Sequence, residues 1–154
     1  MTFQKIGILG AGAWGTALAY STQEAGRDVL IWARETEVAD ALNAGRGNPA
    51  FLPQISLPVI PASASLSDLA DCDAILAVVP AQFARPVFEQ LNDILPPETP
   101  FALCAKGVER GSLKLMADVL SETRPAAPVA VLSGPSFAKD VALGLPTAVT
   151  LACK

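Results

Sequence analysis

Ile6-Gly7-Ile8-Leu9-Gly10-Ala11-Gly12-Ala13-Trp14-Gly15-Thr16-Ala17-Leu18-Ala19 decides how this chain folds. The residues up to Leu9 form a short, unbroken apolar run that stops at a glycine, the pattern of a buried strand. A helix-forming stretch follows almost at once. The spacing Gly10-x-Gly12-x-x-Gly15, with a strand before and a helix after, is that of a phosphate-cradling turn. Gly10 permits the tight turn, and Gly12 leaves bare backbone for a pyrophosphate to approach. Gly15 lets the new helix lie close on the sheet. The helix start offers unpaired N–H groups and a partial positive charge, both suited to a phosphate. The stretch therefore reads as a dinucleotide site, with Ala13 and Trp14 inside its loop. Trp14 either covers the pyrophosphate or packs between loop and helix.

The rest of the chain alternates in the same way. Residues 13–25 read as the first helix, stopped by Gly26, and 29–32 as the second strand. Residues 35–44 read as a helix closed by Gly45. The stretch 47–61 is too interrupted by proline for a regular element. A helical turn at 67–70 precedes an apolar strand at 74–79, ended by Pro80. A helix at 84–91 follows, then a strand at 101–105. Ser112 is placed to cap a helix running to about Ser121. The last elements are a strand at 129–132, the turn Ser133-Gly134-Pro135-Ser136, a short helix to Leu143 and a strand at 147–152. This alternation predicts an α/β fold, a doubly wound, mostly parallel sheet of the Rossmann type. Its ligand crevice lies at the carboxyl ends of the strands. At 154 residues the chain fits one domain, 1–154.

Composition narrows the chemistry. The net charge is −4 with no basic cluster, which argues against nucleic acid as a partner. There is no histidine, so acid–base steps within the chain fall to Lys, Asp, Glu, Tyr or Cys. Cys72, Cys104 and Cys153 are scattered among apolar neighbours and read as buried thiols of a reducing compartment, not as a metal site or a disulfide framework. Mean hydropathy is high, +0.41, yet no apolar run approaches the roughly 18 residues of a membrane span. The first strand begins so near Met1 that no room is left for a signal peptide, and a cytoplasmic protein is expected. The surplus of apolar residues is either core or a surface facing another domain or partner.

Three further places bear on the ligand. About twenty residues beyond the glycines an acid would bind the ribose hydroxyls, whereas an arginine accommodates a 2′-phosphate. That place holds Arg34, beside Glu35. A guanidinium matches phosphate geometry, which points to NADPH, or to use of both nicotinamides, ahead of NADH alone; the plainer reading is a solvated surface charge. Lys106 follows a buried strand at the edge where the nicotinamide end of the cofactor would lie. There it holds a carbonyl oxygen or a phosphate, unless it is an ordinary surface lysine. The turn Ser133-Gly134-Pro135-Ser136 ends a later strand on the same edge and offers donors to a small polar substrate.

Four stretches carry a resemblance: Gly10 through Ala19; Asn48-Pro49-Ala50-Phe51-Leu52-Pro53; Ala105-Lys106-Gly107-Val108-Glu109; and Leu132-Ser133-Gly134-Pro135-Ser136-Phe137-Ala138-Lys139-Asp140-Val141-Ala142, running on to Gly144-Leu145-Pro146-Thr147-Ala148. Together they resemble the amino-terminal domain of the bacterial type of NAD(P)-dependent glycerol-3-phosphate dehydrogenase. The resemblance implies reduction of dihydroxyacetone phosphate to sn-glycerol 3-phosphate, a precursor of membrane phospholipids. It implies NADP(H) or NAD(H) contacts from the loop of Gly10, Gly12, Ala13 and Gly15 and from Trp14, Arg34, Lys106 and Ala138. Substrate contacts are implied for Lys106, Gly134 and Ser136, and a homodimer for the full-length family protein. The family's second, helical domain carries the proton-donating lysine and the Arg-Asn pair that grips the substrate phosphate, and it has no counterpart here. The chain is thus expected to be the cofactor-binding part, with little turnover alone. Two positions depart from the pattern: Ala13 stands where serine is frequent, and Ala81-Gln82-Phe83 follows Val79-Pro80 where serine or histidine is usual. The rival readings are a two-domain NADP reductase of the 3-hydroxyacid or 6-phosphogluconate type, a non-catalytic nicotinamide-binding sensor, and a flavin domain. Lys106-Gly107 and the Ser133 turn argue against the first.

Overall fold

The structure, a computed structural model, describes residues 3–153. Its strands are β1 (Lys5–Leu9), β2 (Asp28–Trp32), β3 (Ala62–Ser63), β4 (Ala74–Ala77), β5 (Phe101–Leu103), β6 (Val129–Ser133) and β7 (Thr150–Cys153). Its α-helices are α1 (Ala13–Glu24), α2 (Thr36–Asn43), α3 (Ala81–Gln90), α4 (Met116–Thr123) and α5 (Ala138–Ala142), and two short 3₁₀ turns, Leu66–Leu69 and Leu91–Asp93, complete the described elements. The strands form one sheet in the order β3-β2-β1-β4-β5-β6-β7. All neighbours are parallel except β7, which runs antiparallel to β6.

The central strands β1, β2, β4 and β5 are mostly apolar because helices cover both faces of the sheet there. Successive side chains point to opposite faces. Ile8 and Ile31 accordingly pack with Ala17, Ala19, Val38 and Leu42 from α1 and α2. Their neighbours Leu9 and Trp32 turn the other way, into the cluster of Ile75, Phe88, Phe101, Val119 and Leu120. In that second core Phe88 meets Phe101 edge-on, with ring centroids 5.7 Å apart. Strand order reverses between β1 and β4, so the crevice of the fold opens where β1 ends at the glycine loop.

The proline-rich stretch 47–61 holds no regular element, as expected, but β3 follows it directly where no strand was expected, secured by backbone bonds from Ile31 to Pro61 and from Ala33 to Ser63. Other expectations differ from the structure. Helix α3 begins at Ala81, not at 84, because Pro80 launches it, and it continues through Pro86. Ser112 caps no helix: its hydroxyl donates to Glu109 Oε2 at 2.5 Å. Residues 108–115 instead fold back on themselves through the bridge Val108–Leu115, and α4 starts only at Met116. Cys72 and Cys104 are buried, but Cys153 is exposed. Its apolar neighbours in sequence do not bury it, because β7 is an edge strand with every residue exposed. Phe137, Leu143, Leu145, Val149 and Leu151 are exposed as well, so part of the apolar surplus lies on the surface beside that edge. Among the described residues no helix is long and apolar enough to cross a membrane.

Candidate dinucleotide and substrate cleft

The glycine loop has the shape its spacing predicts. Gly10 takes φ +115°, a conformation that side chains rarely adopt. Its N–H donates to the Trp32 carbonyl at 3.1 Å, which ties the loop to the end of β2. A Cβ on Gly15 would sit 1.9 Å from the Gly10 oxygen, so only glycine lets α1 approach this closely. A Cβ on Gly12 would meet nothing within 4 Å. Gly12 caps α1 in extended conformation, and its carbonyl accepts from Thr16 N at 3.0 Å. The N–H groups of Gly12, Ala13, Trp14 and Gly15 have no backbone acceptor among the described residues. The first turn of α1 carries no acidic side chain to occupy them. A row of free amides beside open space, at the positive end of a helix, suits an anion such as a pyrophosphate.

Arg34 stands just past β2. Its Nε and Nη2 donate to Glu35 Oε1 at 3.0 and 2.8 Å, and its side chain is 71% exposed. A pair so open to water contributes little and exchanges readily. The guanidinium carbon also lies 5.9 Å from the centroid of the Phe83 ring, itself 54% exposed. Cation and ring form a mixed platform beside the loop. Phe83 was not among the predicted site residues. Its signal was its place after β4, on the same sheet edge as Arg34.

Beyond the loop, the carboxyl ends of β4, β5 and β6 enclose a cleft of about 340 Å³. Trp14, Lys106, Gly134, Ser136 and Ala138 all line it. The structure thus gathers the predicted nicotinamide-end and substrate residues in one place. Arg34 is not part of that lining. Trp14 belongs to both loop and cleft. Lys106 is exposed, and no carboxylate pairs with it among the described residues. Its loop is fastened to α3. Gln82 donates to the Val108 carbonyl at 2.8 Å and accepts from Arg110 N at 2.9 Å. Arg85 forks onto both oxygens of Glu109, at 2.8 and 2.9 Å. The Arg85 guanidinium, helped by the Ser112 hydroxyl, holds the Glu109 carboxyl down at about 2.

Two predicted contacts have structural work of their own. Ser136 Oγ donates to the Ala148 carbonyl at 2.9 Å, which leaves its oxygen to a ligand only as an acceptor. A Cβ on Gly134 would fall 2.6 Å from that same carbonyl oxygen, so the returning chain at 148–149 requires glycine there. Cys104 also lines the cleft. Burial pushes its thiol up to about 12, so it is a neutral wall and no nucleophile.

Comparison with known proteins identifies the family of the chain. Glycerol-3-phosphate dehydrogenase [NAD(P)+] of Maricaulis maris is 57% identical over 98% of this chain and 46% of its own length. The enzyme of that name from Caulobacter vibrioides is 56% identical over 100% of this chain and 47% of its own. A crystal structure of glycerol-3-phosphate dehydrogenase from Coxiella burnetii superposes with a TM-score of 0.88 at 36% identity, over 97% of this chain and 46% of that one. The chain spans about half the length of the curated relatives it matches. Residues 5–154 match the family described as NAD-dependent glycerol-3-phosphate dehydrogenase N-terminus, and the chain belongs to that family.

Proposed function

We propose that residues 1–154 are the cofactor-binding domain of a glycerol-3-phosphate dehydrogenase, with a nicotinamide dinucleotide laid across the carboxyl edge of the sheet. The row of unpaired amides from Gly12 to Gly15, running into the cleft that contains Lys106, is the observation that carries this reading. The loop of Gly10, Gly12, Ala13, Trp14 and Gly15 holds the pyrophosphate. Arg34 leaves Glu35 for the 2′-phosphate of NADPH, and the neighbouring Phe83 offers its ring to the adenine. Trp14 and Ala138 flank the nicotinamide end.

The substrate is dihydroxyacetone phosphate, read from the resemblance and from the fit of a small anion to a cleft with one unpaired lysine. When bound, the nicotinamide would supply the hydride to the carbonyl carbon, and the proton that completes glycerol 3-phosphate would come from the lysine that the resemblance implies in the second domain of full-length proteins. Lys106 orients the substrate and faces the oxygen on which negative charge grows, an interaction strengthened by the apolar walls Val78 and Leu132. Gly134 lines the cleft beside the substrate, and the Ser136 oxygen accepts from the substrate's hydroxyl. Complete turnover, a cytoplasmic role in phospholipid supply and a homodimeric assembly are proposed for proteins of the relatives' full length. Buried free thiols at Cys72 and Cys104 support a reducing compartment.

Tryptophan emission tests the reading, because Trp14 lines the cleft. NADPH should quench it saturably, ADP-ribose should compete, and dihydroxyacetone phosphate should add a further change only when the cofactor is present. A folded chain that binds neither NADPH nor ADP-ribose refutes the proposal.

A further inference from the structure

The motif beginning at Asn48 has no part in the reading above, yet Asn48 is only 1% exposed and its partner Thr16 is 0% exposed. Its side-chain amide is fully used. Nδ2 donates to the Ala11 carbonyl at 2.9 Å and to Thr16 Oγ1 at 2.8 Å. Oδ1 accepts from Phe51 N at 3.2 Å. The segment is closed by Leu52 N donating to the Asn48 carbonyl at 2.7 Å, and Leu52 is anchored in the core below the loop. Asn48 therefore grips the glycine loop at both ends of its row of free amides.

We infer that Asn48 is a positioning residue for the phosphate-binding backbone, a role that rests on reading the Gly12–Gly15 hollow as the pyrophosphate site. A trans peptide is planar, with its C=O and N–H on opposite sides. Holding the Ala11 carbonyl on the Asn48 side therefore aims the Gly12 N–H the other way, towards the hollow. Flanked by glycines, the Ala11–Gly12 peptide has little else to keep it from rotating. Rotation would turn a carbonyl dipole towards the phosphate in place of a donor. The second N–H of the same planar amide reaches Thr16, in the first turn of α1, and so sets the distance between loop and helix.

The test is Asn48→Asp. It preserves size and the acceptor for Phe51 but sets an oxygen against the Ala11 carbonyl. Affinity for ADP-ribose should fall about tenfold or more, while affinity for adenosine 2′-monophosphate, which lacks the pyrophosphate, stays within about twofold. The variant should regain ADP-ribose affinity as the pH is lowered from about 7 to about 5, where a buried carboxyl takes up a proton and donates again; the parent chain should be flat over that range. A merely structural role would weaken both ligands together and show no recovery, which would overturn the inference. Unchanged ADP-ribose affinity would do the same. The parent chain gives a check that does not depend on the variant folding. Coupling is reciprocal, so bound ADP-ribose should slow exchange of the Asn48 side-chain N–H pair, and unaltered exchange overturns the role. A parent chain that binds no ADP-ribose overturns the reading of the hollow itself, and the role of Asn48 with it.

Discussion

Alanine at Gly12 and alanine at Gly15 separate the hollow from its scaffold. At Gly12 the new methyl meets no protein atom within 4 Å, and the backbone there, φ −70° and ψ −174°, is ordinary for alanine. Alanine is the poorer helix cap by about 0.5–1 kcal/mol, and the stiffer unfolded chain returns a similar amount. Stability should therefore stay within about 0.5 kcal/mol of the parent. The methyl, however, stands in the space the phosphate needs. Lifting the phosphate off two amides removes two charge-assisted bonds of about 1.5–3 kcal/mol each, so the dissociation constant for ADP-ribose should rise roughly a hundredfold or more. At Gly15 the same methyl would lie 1.9 Å from the Gly10 oxygen, so loop and helix must part until the contact reaches at least 3.0 Å, about 1.1 Å further. Overpacking of that kind costs about 1–3 kcal/mol, and the better helix propensity of alanine offsets up to about 1 kcal/mol. At about 2–4 °C per kcal/mol for a chain of this size, melting should fall by several degrees, and binding should weaken as well. Thermal unfolding followed by circular dichroism, paired with calorimetric titration of ADP-ribose, reads both quantities. A Gly12→Ala chain that melts normally and binds ADP-ribose normally would rule out the hollow as the phosphate site.

Arg34→Ala should lower NADPH affinity about tenfold through loss of one phosphate–guanidinium contact while leaving NADH almost untouched; an unchanged ratio of the two affinities in calorimetry removes the assignment. Lys106→Met should leave melting unaltered, since the side chain is exposed and unpaired among the described residues, yet weaken dihydroxyacetone phosphate binding at saturating NADPH about tenfold or more by saturation-transfer NMR. Equal binding by the variant contradicts its role. Glu109 is held at about 2 in the folded chain against 4.5 when unperturbed, chiefly by Arg85. Its contribution is fully present above pH 4.5 and is lost as the pH falls through about 2. The melting difference between the parent and Arg85→Met should therefore shrink steadily below pH 4.5, and a difference that stays constant across that window speaks against the pair.

What could be read in the sequence was local. The run into Gly10 and the glycine spacing specify a strand, a turn and a helix through contacts only a few residues apart, and β1, the loop and α1 follow them. The parallel core could be read because strands covered on both faces must be apolar throughout. What escaped depends on partners distant in the chain. β3 has only two residues, too few for any periodicity, and exists because β2 needs backbone partners at its edge. The direction of β7 leaves no mark in an apolar run, which reads alike either way. Ser112 has the look of a cap, but Glu109, already held by Arg85 from α3, takes its hydroxyl instead. In the site, the glycines and Lys106 were legible from their place at strand ends. The Phe83 ring beside Arg34, the commitment of the Ser136 hydroxyl to Ala148 and the Asn48 bridge all join segments that the sequence alone does not bring together.

The four amides following the turn are proposed to receive a pyrophosphate. Backbone amide NMR during titration with ADP-ribose addresses this directly, because those groups have no acceptor among the described backbone. Saturable downfield movement of the Gly12, Ala13, Trp14 and Gly15 amide protons is expected, larger than at any position outside the crevice. If those four stay still while ADP-ribose perturbs amides elsewhere, the pyrophosphate does not bind at the glycine turn.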